Sequence, residues 1–256
     1  MDYTISSVDR ALRMLQALSE LPGSGVTELA ERTGCTKSQT FRILYTLEAQ
    51  GYVTKDADRS YRLGFQTMLL GDQARRQSPL IAAAEPHIND IYERIRQNVL
   101  LIVRHGMRTA CVLLRASPDR DQIYAEFGRT GPLHAGGGPK VMLANAPCEI
   151  QEAVLTGELT RYTRKTICDP DTLRALLEKI RTDGWHLSEA DLDDDKRSVA
   201  APVRDASGEV VAAISVTAPE DYLQGARLDE TRDLVLQTVE RLSVALGYRG
   251  TPVVHA

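Results

Sequence analysis

Residues 26–63 read VTELAERTGCTKSQTFRILYTLEAQGYVTKDADRSYRL. Val26, Leu29, Ala30 and Thr33 recur at i, i+3, i+4 and i+7, the spacing of one helix face. Gly34 ends that helix, because a left-handed residue costs glycine no steric clash. Thr36 stands where an N-cap is needed, and Gln39, three residues on, completes a capping box. The second helix, 37–50, has two unlike sides. Thr40, Ile43, Leu44 and Leu47 point inward, with Phe41 at the margin. Ser38, Gln39, Arg42, Tyr45 and Thr46 point outward; every one can donate a hydrogen bond and none is acidic. A helix that meets only water usually mixes acids with bases. Donors without acids suit phosphate oxygens and base edges instead.

Gly51 closes the second helix, 52–54 reads as a strand, 55–60 as a polar turn and 61–63 as the returning strand. Helix, turn, helix and hairpin in so short a span is the pattern of a winged helix-turn-helix. The wing brings Lys55, Arg59 and Arg62 toward a sugar-phosphate backbone. The expected DNA-contacting set is Arg10, Lys37, Ser38, Gln39, Arg42, Tyr45, Lys55, Arg59 and Arg62. Gln39 and Arg42 should read bases, while Ser38, Arg10 and the wing cations hold phosphates.

Upstream, Val8, Ala11, Leu12, Leu15 and Leu18 predict the inner face of a first helix near 7–21, capped by Ser6 or Ser7. Arg10 in its first turn opposes the helix dipole, so a DNA phosphate or the neighbouring Asp9 should balance it. Downstream, Phe65, Met68, Leu69 and Asp72 predict a linker helix ending at Arg75-Arg76, before a boundary at Ser78-Pro79. The expected division is a DNA-binding domain 1–63, a linker helix 64–78, a second domain 79–250 and a tail 251–256.

The whole chain has 256 residues and a net charge of −4. Residues 1–78 carry a net +1 and the remainder −5, so nucleic-acid contact should be local to the helix and wing. The N-terminus lacks a basic start followed by an apolar run, and no apolar stretch is long enough to span a membrane, which predicts a cytoplasmic protein. Cys35, Cys111, Cys148 and Cys168 form no C-x-x-C pair, so reduced, mostly buried thiols are expected, with no metal and no cofactor.

The second domain reads as an antiparallel sheet flanked by helices. A helix from Ile81 to Ile95, bent at Pro86, should precede strands at 99–104, 110–115 and 123–127. Helices should cover 139–145, 149–155 and 171–183, then strands 185–188, 198–204 and 210–217, and a final helix 228–246. Within it, Leu133-His134-Ala135-Gly136-Gly137-Gly138-Pro139-Lys140 leads three glycines into a helix start, exposing free backbone N–H groups to a carboxylate or phosphate. It is not a Walker A loop, since no Gly-Lys-Ser/Thr closes it. Ser198, Ser215 and Thr217 sit on otherwise apolar strands, and the i, i+2 spacing of the last two places them on one sheet face. Three hydroxyls on adjacent strands near a glycine loop suit a small pocket for a polar molecule; isolated strand hydroxyls bonded to backbone are the equal alternative. The acidic run Asp191, Asp193, Asp194 and Asp195 reads as a solvated loop. No nucleophile elbow or His–Cys pair prepares covalent catalysis.

Taken in order, Ser7-Val8-Asp9-Arg10-Ala11-Leu12, Lys37-Ser38-Gln39-Thr40-Phe41-Arg42-Ile43-Leu44, Gly51-Tyr52-Val53 and Tyr61-Arg62-Leu63-Gly64 resemble an IclR-type transcriptional regulator. Gly131-Pro132-Leu133-His134, Lys140 with Leu143-Ala144, and Ala200-Ala201-Pro202-Val203 leading to Ala213-Ile214-Ser215-Val216-Thr217 extend the resemblance over essentially the full length. It implies an α+β architecture: an N-terminal winged helix-turn-helix joined by a linker helix to a C-terminal GAF-like α/β effector-binding domain. It also implies a homo-oligomer, dimeric through the DNA-binding half and often a dimer of dimers. The implied effector is a small organic acid or aromatic, met at Gly137, Gly138, Ser198, Ser215 and Thr217, with a further position at Ser188 or Glu189. Gly138-Pro139-Lys140 departs from the family's small residue, Gly, Lys, and Pro139 removes one N–H. Trp185, Met142 and Leu133 are the residues available to wall an aromatic ligand.

The function these readings predict is an effector-controlled regulator on double-stranded operator DNA, repression being the favoured mode. An enzyme for small acids with an appended DNA-binding domain, and an effector-free architectural DNA binder, are the alternatives.

Overall fold

The computed structural model describes residues 3–118, 128 and 130–250. The strand expected at 123–127 and the tail 251–256 lie outside them. The chain divides into two compact units, Met1–Gln77 and Ser78–Ala256.

The first unit contains helices α1 (Ser6–Glu20), α2 (Val26–Thr33) and α3 (Lys37–Ala49), the strands β1 (Val53–Lys55) and β2 (Tyr61–Leu63), and helix α4 (Phe65–Arg76). Gly34 is left-handed at φ 67° and returns its N–H to Ala30. Both halves of the Thr36–Gln39 capping box form, so α3 starts where the sequence places it. β1 and β2 pair antiparallel, with Thr54 opposite Arg62. The core gathers Met14, Ala17, Leu18, Leu29, Leu44, Val53 and Tyr61.

Two expectations for α1 are corrected. Its buried face is Met14, Ala17 and Leu18, whereas Val8 and Leu12 are 51% and 56% exposed. The apolar period is real, but only the C-terminal half of α1 meets the core, so the first turns keep an apolar stripe in solvent. Its N-cap is Ile5, with no side-chain cap from either serine.

The second unit opens with α5 (Pro79–Ile95), capped by the Ser78 hydroxyl and continuing through Pro86. Among the described residues six strands follow: β3 (Asn98–His105), β4 (Arg108–Arg115), β5 (Thr130–Gly131), β6 (His186–Glu189), β7 (Lys196–Arg204) and β8 (Val210–Pro219). They form one sheet in the order β5-β4-β3-β8-β7-β6, and every pairing is antiparallel. The two-residue edge strand β5 is too short to leave a periodic signal. Helices α6 (Gly137–Ala144), α7 (Cys148–Leu155) and α8 (Pro170–Asp183) follow β5, and α9 (Gly225–Ala245) closes the unit.

Strand alternation sorts the sheet residues into two cores. Val99, Leu101, Val199, Ala201, Ile214 and Val216 pack with α5 and α9. Leu100, Ile102, Ala200 and Ala213 pack with α6, α7 and α8 on the opposite face. The result is a helix–sheet–helix sandwich, and the helix-entry loop before α6 lies on the second face.

The free cysteines are less buried than expected: Cys111 is buried, Cys35 and Cys168 are half-buried and Cys148 is exposed. Burial pushes the Cys111 thiol up to about 12, so it packs as a small hydrophobe. Among the described residues no cluster of His, Cys, Asp and Glu suits a metal ion, and no helix is long and apolar enough to cross a membrane.

Candidate DNA-reading helix and effector cavity

On α3, Lys37, Ser38, Arg42 and Tyr45 are exposed and Gln39 is half-buried. Arg10 from α1 joins Gln39, Arg42 and Tyr45 along one concavity of about 550 Å³. Lys37, Ser38 and the wing cations are not part of it. Two of the outward side chains already make internal hydrogen bonds. The Gln39 Oε1 accepts the Thr36 N–H at 3.1 Å, which leaves its amide NH₂ as the group facing outward. The Thr46 hydroxyl donates to the Arg42 carbonyl at 3.0 Å, so it is a helix back-bond rather than a free probe.

Arg10 does not pair with Asp9, which is held by Arg13 at 3.0 Å. Among the described residues Arg10, Lys37, Arg42 and Arg59 form no ion pair. In the wing, Arg62 pairs with Asp56 at 3.1 Å and the Lys55 ammonium lies 5.7 Å from the Tyr61 ring centroid. Exposed pairs of this kind are weak, about 0–1 kcal/mol, so a phosphate can displace them.

In the second unit, Gly137, Gly138, Ser188, Ser198, Ser215 and Thr217 line a single cavity of about 30 Å³, with Leu100, Ile102, Pro139 and Leu192 as its apolar walls. Trp185 and Leu133 are not in that lining, and Met142 lines a different groove. Register explains the convergence. Ser188 pairs with Ser198 and Ser198 with Thr217, so three hydroxyl residues stand in one row across β6, β7 and β8. Ser215 lies two residues along β8 on the same face.

The helix-entry loop must be glycine because it presses on the sheet. A Cβ on Gly137 would lie 2.6 Å from the Ser198 hydroxyl oxygen, and one on Gly138 would lie 2.5 Å from the Ile102 methyl. The expectation of several free N–H groups in this loop is corrected. The Gly136 N–H donates to Asp191 Oδ1 and the Gly137 N–H to the Ser198 hydroxyl oxygen, each at 3.0 Å. Gly138 keeps the unpartnered amide, and Ser215 and Thr217 keep hydroxyls without a partner among the described residues. Tight packing on a polar strand satisfies the other donors internally, a consequence that loop composition does not reveal.

Asp191 overturns the reading of the acidic run as wholly solvated. Asp194 and Asp195 are exposed, but Asp191 is buried and organises the loop. Its carboxylate pairs with Lys140, the two side chains being 4% and 3% exposed, and also accepts from Ser188. The Thr166 hydroxyl donates to the Asp191 carbonyl at 2.7 Å. Burial alone would raise the Asp191 carboxyl, but the Lys140 ammonium and the Ser188 and Gly136 donors hold it below the usual carboxylate range. Burial pulls Lys140 down against the opposing charge of Asp191. The two charges of the pair thus offset each other, while Asp193, Lys196 and Arg197 also line the cavity. His186, on the same strand as Ser188, is pushed down to about 3 by burial and then by the Lys140 charge, so its ring is neutral.

A DNA-reading helix with a wing in one unit and a donor-lined cavity in the other define a ligand-responsive transcription factor. Residues 7–57 match the IclR helix-turn-helix domain, and residues 73–244 match the family described as bacterial transcriptional regulator IclR C-terminal. The chain belongs to the IclR family of transcriptional regulators. The HTH-type transcriptional regulator BhcR of Paracoccus denitrificans is 30% identical over 249 residues, covering 96% of this chain and 88% of that one. An IclR regulator from Alicyclobacillus acidocaldarius superposes with a TM-score of 0.85 at 26% identity, covering 96% of this chain and 100% of that one. An IclR homologue from Microbacterium hydrocarbonoxydans, solved in complex with 4-hydroxybenzoate, gives a TM-score of 0.79 at 23% identity, covering 94% and 98%. The family is regulatory, which sets aside the enzyme alternative.

Proposed function

We propose that the protein is a repressor whose hold on a palindromic operator is set by a small organic acid bound in the cavity before α6. The observation that carries the effector half is the donor set around that cavity: the Gly138 amide and the Ser215 and Thr217 hydroxyls lack internal partners. They meet at the positive end of an eight-residue helix whose nearest buried carboxylate is already neutralised. On the DNA side, the exposed, acid-free face of α3 supports Arg42 and the Gln39 amide as base readers. Arg10, Lys37, Ser38, Tyr45, Lys55, Arg59 and Arg62 are then the residues for the backbone.

The exposed apolar stripes support a homo-oligomer, with a dimer or dimer of dimers as the assembled forms. Val8 and Leu12 on α1, and Phe65, Met68, Leu69 and Leu70 on α4, leave apolar surface that a single chain does not cover.

Fluorescence anisotropy with labelled DNA from the region upstream of the protein's own gene tests both halves. Arg42→Ala is expected to weaken binding about tenfold or more, the worth of a lost bidentate base contact. An affinity within about twofold of the parent removes Arg42 as a base reader. Titrating a panel of short aliphatic and aromatic carboxylates into the wild-type complex should shift the binding curve, and a panel with no effect refutes the effector assignment.

A further inference from the structure

Arg104 and Arg204 stand at the other end of the sheet face that carries the cavity before α6. Arg104 follows Ile102 by two residues on β3, and Ile102 pairs with Ala213 of β8. Arg204 of β7 pairs with Val210, at the start of β8. The two arginines therefore flank β8 from either side, their backbones roughly 10 Å apart across two strand spacings. Both line a concavity of about 340 Å³ with Met142, Asn145, Glu209 and Val210. It shares no lining residue with the cavity before α6. Helix α6 joins the two places: Gly137 and Gly138 of its first turn line one, and Met142 of its last turn lines the other.

Neither guanidinium is spent on a carboxylate. Arg104 donates to the Gly106 carbonyl at 3.1 Å. Arg204 donates to the Gly208 carbonyl at 2.9 Å and to Asn145 Oδ1 at 3.5 Å. These bonds orient the two forks without neutralising them, and they leave most N–H donors of each for another acceptor. Among the described residues neither arginine forms an ion pair, whereas Arg115, Arg174, Arg197 and Arg232 of the same unit all hold carboxylates. Both are half-buried, so their charges are screened less than those of fully exposed side chains. Glu209, the acidic residue of the described lining, is exposed and pairs with neither. Two unopposed cations in one concavity run against the net −5 of the chain beyond residue 78.

We infer that this concavity is a second ligand site, taking a small dianion with an acidic group at each end. Each guanidinium receives one group, since a planar fork matches a carboxylate or phosphate with paired hydrogen bonds. Met142, Pro147 and Val210 supply an apolar wall for the carbon chain between them. A short α,ω-dicarboxylate has this chemistry, as does a short acid with a phosphate at its other end. A monocarboxylate would leave one guanidinium unmatched. The site does not depend on what the cavity before α6 binds.

Isothermal titration of the full chain with succinate and butyrate tests this, since the two share a carbon count and differ by one carboxylate. The wild type should bind succinate about tenfold more tightly than butyrate. Arg104→Gln and Arg204→Gln should each remove that margin, and Arg204→Lys, which keeps the charge but loses the fork, should remove most of it. Lys179→Gln, which deletes an exposed cation elsewhere on the unit, should keep the margin, as should Ser215→Ala in the other cavity. Because Arg204 also bonds Gly208 and Asn145, Arg104→Gln decides the matter if an Arg204 variant does not fold. Phosphoglycolate beside succinate distinguishes phosphate from carboxylate as the second group, the tighter binder with the same arginine dependence giving the class. A margin that survives Arg104→Gln overturns the inference. So does a margin lost in Ser215→Ala, which would place the dianion in the cavity before α6, and so does a wild type that binds neither succinate nor phosphoglycolate more tightly than butyrate.

Discussion

His186 shows how one side chain ties the second unit to pH. Its Nε2 is buried without a partner, and burial with the nearby Lys140 charge pushes its pKa down to about 3. In the unfolded chain an ordinary histidine titrates near 6.5. Because the folded value is the lower one, the unfolded state binds more protons between these two values, and folding stability falls as pH falls through that window. From pH 6.5 to pH 5 the loss should reach about 2 kcal/mol. Thermal melts from pH 7 to pH 5 should show it, and His186→Gln should flatten the slope. Asp191, held low, adds its own loss only at still lower pH. An unchanged slope in the variant would place the acid sensitivity elsewhere. None of this was legible in the sequence, where His186 follows a tryptophan at a strand start and carries no signal of what covers it.

At the scale of elements, α6 and β7 define the cavity by how closely they approach. Gly137 has no room for a methyl group against Ser198, so Gly137→Ala should force the start of α6 away from the sheet. Overpacking of this kind costs about 1–3 kcal/mol. Chemical denaturation followed by near-ultraviolet signals of the lone Trp185 should report the drop. The same variant should lose any carboxylate response. A variant as stable and as responsive as the parent would contradict the close approach. The sequence marks this element through its three glycines, and the hydroxyls of Ser198, Ser215 and Thr217 were visible as polar interruptions of apolar strands. What composition conceals is which glycine N–H groups are spent. That depends on Asp191, which arrives from a loop fifty-five positions away from Gly136 in the chain.

For the whole molecule, the unaccounted surface is apolar. α4 buries none of its residues within the single chain, and Phe65 and Met68 are among its most exposed side chains. Transferring such a stripe from water is worth about 25 cal/mol per Å², which a second copy would recover. Met68→Glu together with Leu69→Lys should shift sedimentation velocity toward the monomer and weaken operator binding, because two half-sites are then read by unlinked chains. A variant that keeps the parent's sedimentation coefficient would move the interface off α4.

Local chemistry is enough to place the Gly34 stop, the Thr36–Gln39 box, the two faces of α3, the wing and the alternating strands. Each depends on residues within a turn or two of one another, where periodicity and capping chemistry act directly. The buried Lys140–Asp191 pair, the committed amides of Gly136 and Gly137, the exposed half of α1 and the orphan amide of Asn98 were decided only by tertiary structure. They depend on which distant strand or loop arrives opposite a given side chain. In an antiparallel sheet that is set by register, and register places Ser188, Ser198, Thr217 and Asn98 in one row although more than a hundred residues of chain separate Asn98 from its neighbour Thr217.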